Sequence, residues 1–469
     1  MRRQIIYLLI SLFIIVGFLS PKTLPSKEPE STVVESLTKS EPYTVVSEDL
    51  FKTLGKELVL PDEGKSIKEL ADRAPGGAFD PRDLEKIPRK TLGYKAKWVV
   101  VRYKYYGLDW DIQGLRLESL NPQARNLPWL VVMNGGSANF YEFFVDPLNH
   151  PGLGQYLAQQ INVLLVTIPG NFKYGGWTVP APEERAPQYL LDKDLPAEEV
   201  KVRNTIYTNS MIIVGLKRLI LQETSGDILL IGHSTSGELA FLSMGEKELA
   251  ERLKGRFLGW GSGTPSNLRK EWEEEFGKRE ARIKNLSKYP PLWDLRARDA
   301  EDYVKNAYIG PLNPCGEPGM KELEVAERWI SIEGRRRPQF KQVMQDMEHG
   351  GMVELQSKVE TQIREALSAT KLPVKLEDVS RDLFATNNAP LKGYKKMVWV
   401  VAQLDDGHWN KKAPGKALEL TVANQFRKRN PESAIRVLLF DLQMTHYGHI
   451  EMPQQVAGGL IAATQWLLK

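Results

Sequence analysis

Residues Ile228 to Met244 read ILLIGHSTSGELAFLSM, and this stretch constrains the fold more than any other part of the chain. Ile228–Ile231 is a short apolar run led in by Ser225, Gly226 and Asp227, the pattern of a buried strand. Ser236 and Gly237 open a run of good helix formers: Glu238, Leu239, Ala240, Leu242 and Met244. Between them lies Gly232-His233-Ser234-Thr235-Ser236-Gly237. A strand that passes at once into a helix must bend sharply, and small residues two before and two after the apex allow the bend without a clash. The apex side chain, Ser234, is then thrust clear of the sheet at a helix start, where free N–H groups favour a developing anion. That is the arrangement of a nucleophile elbow.

The elements around this turn alternate. Trp98–Tyr106 and Trp110–Glu118 are β-forming runs broken at Gly107-Leu108-Asp109, which predicts a hairpin. Pro128–Met133, Ile161–Ile168, Arg256–Trp260, Met397–Ala402 and Ile435–Asp441 read as further buried strands. Thr205–Leu221, Gly415–Lys428 and Val456–Leu468 read as helices between and after them. A hairpin followed by alternating strands and helices predicts an α/β open sheet, mostly parallel and covered on both faces. Thr264 to about Lys396 has a different texture, rich in charge and helix formers and without a buried-strand pattern.

The turn resembles the G-x-S-x-G elbow of the α/β-hydrolase superfamily. Gly232 and Ser234 fit; the fifth place is Ser236, and the glycine comes one later, at Gly237. The order of elements resembles that family from about Trp98 to Lys469, and residues 264–396 lie where the family often inserts a helical cap. The resemblance implies an α/β-hydrolase fold with a mostly parallel sheet, its core in two parts (93–263 and 397–469) around a cap at 264–396. Residues 1–20 then form a signal-anchor or signal peptide, and 21–92 a tether and N-terminal extension.

A serine alone is a poor nucleophile; it needs a base to take its proton and a third group to orient that base. The family's order along the chain is nucleophile, acid, histidine. Gln403-Leu404-Asp405-Asp406 follows the strand Met397–Ala402 and resembles the family's G-x-x-D turn, which implies Asp406 as the acid, with Asp405 as the alternative. Gly448-His449 follows the last strand and resembles the family's G-H loop before the terminal helix, which implies His449 as the base; His446 is the second candidate. The oxyanion needs fixed donors. One is the amide of Thr235. The other comes from Asn134-Gly135-Gly136-Ser137, which resembles the H-G-G-G loop of lipases and esterases and points to Gly136, with Ser137 next. His233 packs or hydrogen-bonds beside the nucleophile. His150 and His349 read as structural or solvated.

The resemblance thus implies a serine hydrolase cleaving an ester, thioester or amide bond through an acyl-enzyme on Ser234. It is esterase- or lipase-like rather than a peptidase, acts on a small-molecule or lipid-like acyl substrate and needs no cofactor. The alternatives are acyl transfer or peptidase chemistry with the same triad, or a membrane-tethered binding protein on an inactive hydrolase fold.

Composition excludes several classes. A net charge of +4 on 469 residues gives no case for nucleic acid. A single cysteine, Cys315, excludes an intrachain disulfide and a cysteine-based metal site. No Walker loop or dinucleotide fingerprint is present. Asp405, Asp406, His408, His446 and His449 form a rival metal-binding set, but the helical H-E-x-x-H signature is absent. Arg335–Arg337 reads as a solvated face. Arg2 and Arg3 precede an apolar run at Ile5–Leu19, the length of a signal h-region, and Pro21 after Ser20 should block cleavage. The expectation is an uncleaved anchor facing the extracytoplasmic side, or a secreted or periplasmic protein if it is cleaved. Pro21 to about Val46 reads as a flexible tether, so a chain starting near residue 40 is expected to be soluble and active.

Overall fold

The computed structural model describes residues 28–73, 79–133, 139–145, 150–170, 189–234, 236–262, 265, 268, 361, 363–382, 389–403, 418–441, 444 and 448–469. The strands are β1 (Tyr43–Val46), β2 (Tyr94–Tyr105), β3 (Leu108–Ser119), β4 (Trp129–Met133), β5 (Val163–Thr167), β6 (Ile228–Ser234), β7 (Arg256–Ser262), β8 (Lys396–Ala402) and β9 (Ala434–Phe440). The helices used below are α1 (Glu28–Thr38), α2 (Asn209–Glu223), α3 (Gly237–Ser243), α4 (Leu376–Asp382), α5 (Leu418–Arg429) and α6 (Pro453–Leu468).

All nine strands join one sheet in the order β1-β9-β8-β7-β6-β4-β5-β3-β2. β2 and β3 are the predicted antiparallel hairpin, turning on Tyr106 (φ 52) and Gly107 (φ 73). Two consecutive positive φ values match the twist of a two-residue hairpin turn. β3 runs antiparallel to β5, and every other pairing is parallel. This is the mostly parallel α/β sheet, opened by an antiparallel hairpin, expected from the sequence.

Side chains alternate across the sheet, and each face builds its own core. On one face Leu115, Leu117, Val163 and Leu165 pack with Leu460 and Ile461 of α6. On the other, Ile112, Leu164 and Val166 pack with Leu216 and Leu219 of α2. β4 and β5 are buried at every residue, which explains why they read as continuous apolar runs. α2 begins later than the predicted Thr205 because the Thr208 hydroxyl caps it, accepting from the Met211 amide at 3.4 Å.

The expected tether is corrected in part. α1 packs within the core that holds α6, and β1 adds to the sheet edge as a parallel partner of β9. Val33, Val34, Leu37 and Val46 are buried. Arg436 Nε donates to the carbonyl oxygens of Leu37 and Lys39, both at 3.1 Å, and Arg427 donates to Pro42 O at 3.0 Å. The Pro/Ser/Glu-rich composition concealed a few apolar side chains that suffice once α6 and β9 offer them a surface. A chain starting near residue 40 would therefore lose α1 and its buried side chains.

The expected anchor lies outside the described residues, and so does most of the expected cap. Among the described residues no helix is long and apolar enough to cross a membrane. Where the chain returns from the 264–396 segment, α4 is fastened to the hairpin turn: the Tyr105 and Tyr106 hydroxyls donate to Asp382 Oδ2 at 2.7 and 3.0 Å.

Candidate active site

The parallel strands deliver their C-terminal ends to one edge of the sheet, where open α/β sheets place their ligands. β6 ends there on Ser234. Its φ of 52 places a non-glycine residue in the left-handed region, a strained conformation that persists only when its surroundings impose it. Three features impose it. The pairing of β6 with β7 shifts register between His233 and Ser234, so that His233 faces Trp260 and Ser234 faces Ser262. The Ser236 amide donates back to His233 O at 3.1 Å, and the Ala240 amide to Ser236 O at 3.2 Å, which closes the chain into α3. The Ser262 hydroxyl donates to Gly232 O at 2.6 Å.

Gly232 meets the start of α3 at close range. A Cβ there would come within 3.0 Å of both the Ser236 carbonyl and the Gly237 Cα. This accounts for the departure from G-x-S-x-G: the residue that folds back over Gly232 includes Gly237, so a glycine one place late still serves the close approach.

His449 lies in the short helix Gly448–Glu451 and is fully buried. Trp260 Nε1 donates to its Nδ1 at 3.1 Å. Its ring centroid lies 4.4 Å from that of His233 and 4.6 Å from that of Phe143. Gly448 sits against Met444, where a Cβ would meet the thioether sulfur inside 3.0 Å. Ser234 and His449 thus share one region, joined through His233.

Thr235, Gly136, Ser137, Asp405, Asp406, His408 and His446 lie outside the described residues. The chain flanking their loops is described. Beyond the Asn134–Ser137 loop, the Phe140 amide donates to Thr167 Oγ1 at 2.9 Å and the Tyr141 amide to Asn139 Oδ1 at 3.0 Å. Ahead of Asp405, the Gln403 amide donates to Phe440 O at 3.2 Å, and its side chain donates to Asp441. Just past β5 the Tyr207 hydroxyl donates to Pro169 O at 2.7 Å; burial holds it well above the usual phenol range, so it acts as a neutral donor. Among the described residues no cluster of three His, Cys, Asp or Glu is placed to hold a metal.

Trp260, Ser262 and Phe143 belong to this site and were not singled out from the sequence. Trp260 and Ser262 had a signal: they end a predicted strand beside Gly261, at the edge where the turn must lie. Phe143 had none.

Solved structures with a similar course of chain include a membrane phospholipase A described as a novel bacterial virulence factor, at 12% identity over 100% of both chains and a TM-score of 0.37. A serine hydrolase from Cycloclasticus zankles matches at 12% identity over 78% of this chain and 97% of its own, with a TM-score of 0.36. An epoxide hydrolase from Vigna radiata matches at 10% identity over 78% and 98%, with a TM-score of 0.37. The fold of this chain stands on its own strand order and on the turn at Ser234. No protein-family model matches the chain, and no curated protein matches it in sequence.

Proposed function

We propose that this chain is a serine hydrolase that cleaves an ester-type bond through an acyl-enzyme on Ser234. The observation that carries the reading is the left-handed Ser234 at the junction of β6 and α3. A strained non-glycine residue there has no structural use that glycine would not serve better.

Ser234 Oγ attacks the acyl carbonyl while His449 takes its proton, then returns it to the leaving group. Asp406 orients that histidine, and the amides of Thr235 and Gly136 hold the oxyanion. Water repeats the sequence to release the acid. An alcohol in its place would give acyl transfer. The 264–396 segment admits the substrate, a small or lipid-like acyl compound, and Ile5–Leu19 tethers the enzyme to a membrane on the extracytoplasmic side.

Labelling by a fluorophosphonate probe tests the reading. The native chain should label and Ser234→Ala should not. A native chain that fails to label, or labelling that survives the substitution, would favour a binding protein on a hydrolase fold or another nucleophile.

A further inference from the structure

The end of β7 is shaped around Ser234. β6 and β7 stay in register from Ile231 opposite Leu258 to His233 opposite Trp260. β6 then advances one residue to Ser234 while β7 advances two, so that Ser262 lies opposite Ser234. The extra residue is Gly261, with a φ of 48. A bulge with glycine in the left-handed region bends its strand and re-aims a side chain.

Here the side chain is that of Ser262. Its hydroxyl reaches back past the residue it faces and donates to Gly232 O at 2.6 Å. Gly259 gives it the room: a Cβ there would lie 2.5 Å from Ser262 Oγ. Gly259 is also the register partner of Gly232. Two glycines thus sit side by side, and each clears space for a group that folds back over it. The start of α3 lies over Gly232, and the Ser262 hydroxyl lies over Gly259. Ser262 is 3% exposed, so water competes little for its bond.

The Gly232 carbonyl belongs to the peptide that leads into His233 and Ser234. The Ser262 bond fixes this end of the turn, and the Ser236 amide on His233 O fixes the other. The strained φ of Ser234 lies beside both bonds. Strain of this kind persists only while the surroundings impose it, so loss of one bond lets it relax. A nucleophile displaced by about 1 Å can lose about a hundredfold in rate.

We infer that Ser262 is a positioning residue for acylation, a role that rests on the serine-hydrolase reading above. Through the Gly232 carbonyl it holds Ser234 in the conformation from which Oγ attacks. It takes no part in proton transfer.

Fluorophosphonate labelling of the full chain, followed against probe concentration, separates probe binding (KI) from bond formation (kinact). Ser262→Ala should lower kinact by about tenfold or more and leave KI unchanged, because alignment is lost and the walls of the site are not. Ser243→Ala is the control. Ser243 is buried in α3, and its hydroxyl donates to Leu239 O at 2.7 Å. That substitution removes a bond of the same kind away from the turn, and kinact should not change. A folded Ser262→Ala with native kinact overturns the proposal. So does a loss that appears in KI instead, or an equal loss in Ser243→Ala. If Ser262→Ala does not fold, Ser262→Cys decides, since a thiol fills the same place but donates only weakly. A lowered kinact with native KI then supports the role, and a native kinact overturns it. Failure of the serine-hydrolase reading looks different, because the native chain would then show no labelling that depends on Ser234.

Discussion

Gly232 and Ser236 meet across the turn that carries Ser234, and the space between them has no room for a methyl group. The clash would be with backbone, which cannot swing aside as the tip of a side chain does. Gly232→Ala must therefore push α3 away from β6 or spring Ser234 out of its left-handed conformation. Overpacking of this kind costs about 1–3 kcal/mol, and the shift falls on Ser234 itself. We expect fluorophosphonate labelling to slow at least tenfold, a change of about 1.4 kcal/mol or more in the barrier. Gly226→Ala is the control: alanine is strained at its φ of 65, but nothing lies within 4 Å. It should lower the unfolding midpoint and leave the labelling rate alone. Equal labelling by both variants would remove the argument.

The N-terminal segment should behave as part of the folded body. Val33, Leu37 and Val46 are each 0% exposed, and fully burying one such side chain contributes about 1.5–3 kcal/mol. A chain beginning at residue 28 should unfold at the same denaturant concentration as the full chain, whereas one beginning at residue 47 should unfold earlier and aggregate through the bared edge of β9. Matching unfolding curves for the two would return this segment to the status of a tether.

Asp382 should hold the returning end of the 264–396 segment on the hairpin. It accepts from Tyr105 and Tyr106 and pairs with Arg381 at 3.2 Å. Asp382→Ala leaves the buried Tyr106 and half-buried Tyr105 hydroxyls without that acceptor, at a cost of about 1–3 kcal/mol. Limited proteolysis should then cut near α4 while labelling of Ser234 persists. Unchanged proteolysis would show that apolar packing of Val379 alone is sufficient.

Acid should weaken the lead-in to β6. Burial pushes the Asp227 carboxyl up, but hydrogen bonds and charge from Lys254 (2.8 Å) and Arg256 (3.2 Å) outweigh it and hold the group below the usual carboxylate range. A carboxylate lowered in the folded state stabilises above its unfolded pKa, about 3.9, and loses that contribution as pH falls through the folded value. Asp227→Asn should cost at most about 1 kcal/mol at neutral pH, because the pairs are partly exposed and screened. The gap between variant and native midpoints should close as pH is lowered below about 4. A gap that persists at lower pH would assign the effect to packing rather than charge.

The sequence by itself determined the sheet apart from β1, and the sharp turn at Ser234. Strands such as β4, β5 and β6 are buried on both faces, so their apolar runs and the glycines at their ends are local signals, and Gly232-His233-Ser234 announces a sharp turn before any contact is known. Only the tertiary structure decided that Glu28–Val46 joins the core, because its four buried aliphatic side chains mean nothing until α6 and β9 supply the opposing surface. Only the tertiary structure set His449 against Trp260. In the sequence His446 and His449 are two histidines in one stretch, with the favourable glycine before the second. The indole that meets Nδ1 of His449 comes from β7, 189 residues away along the chain.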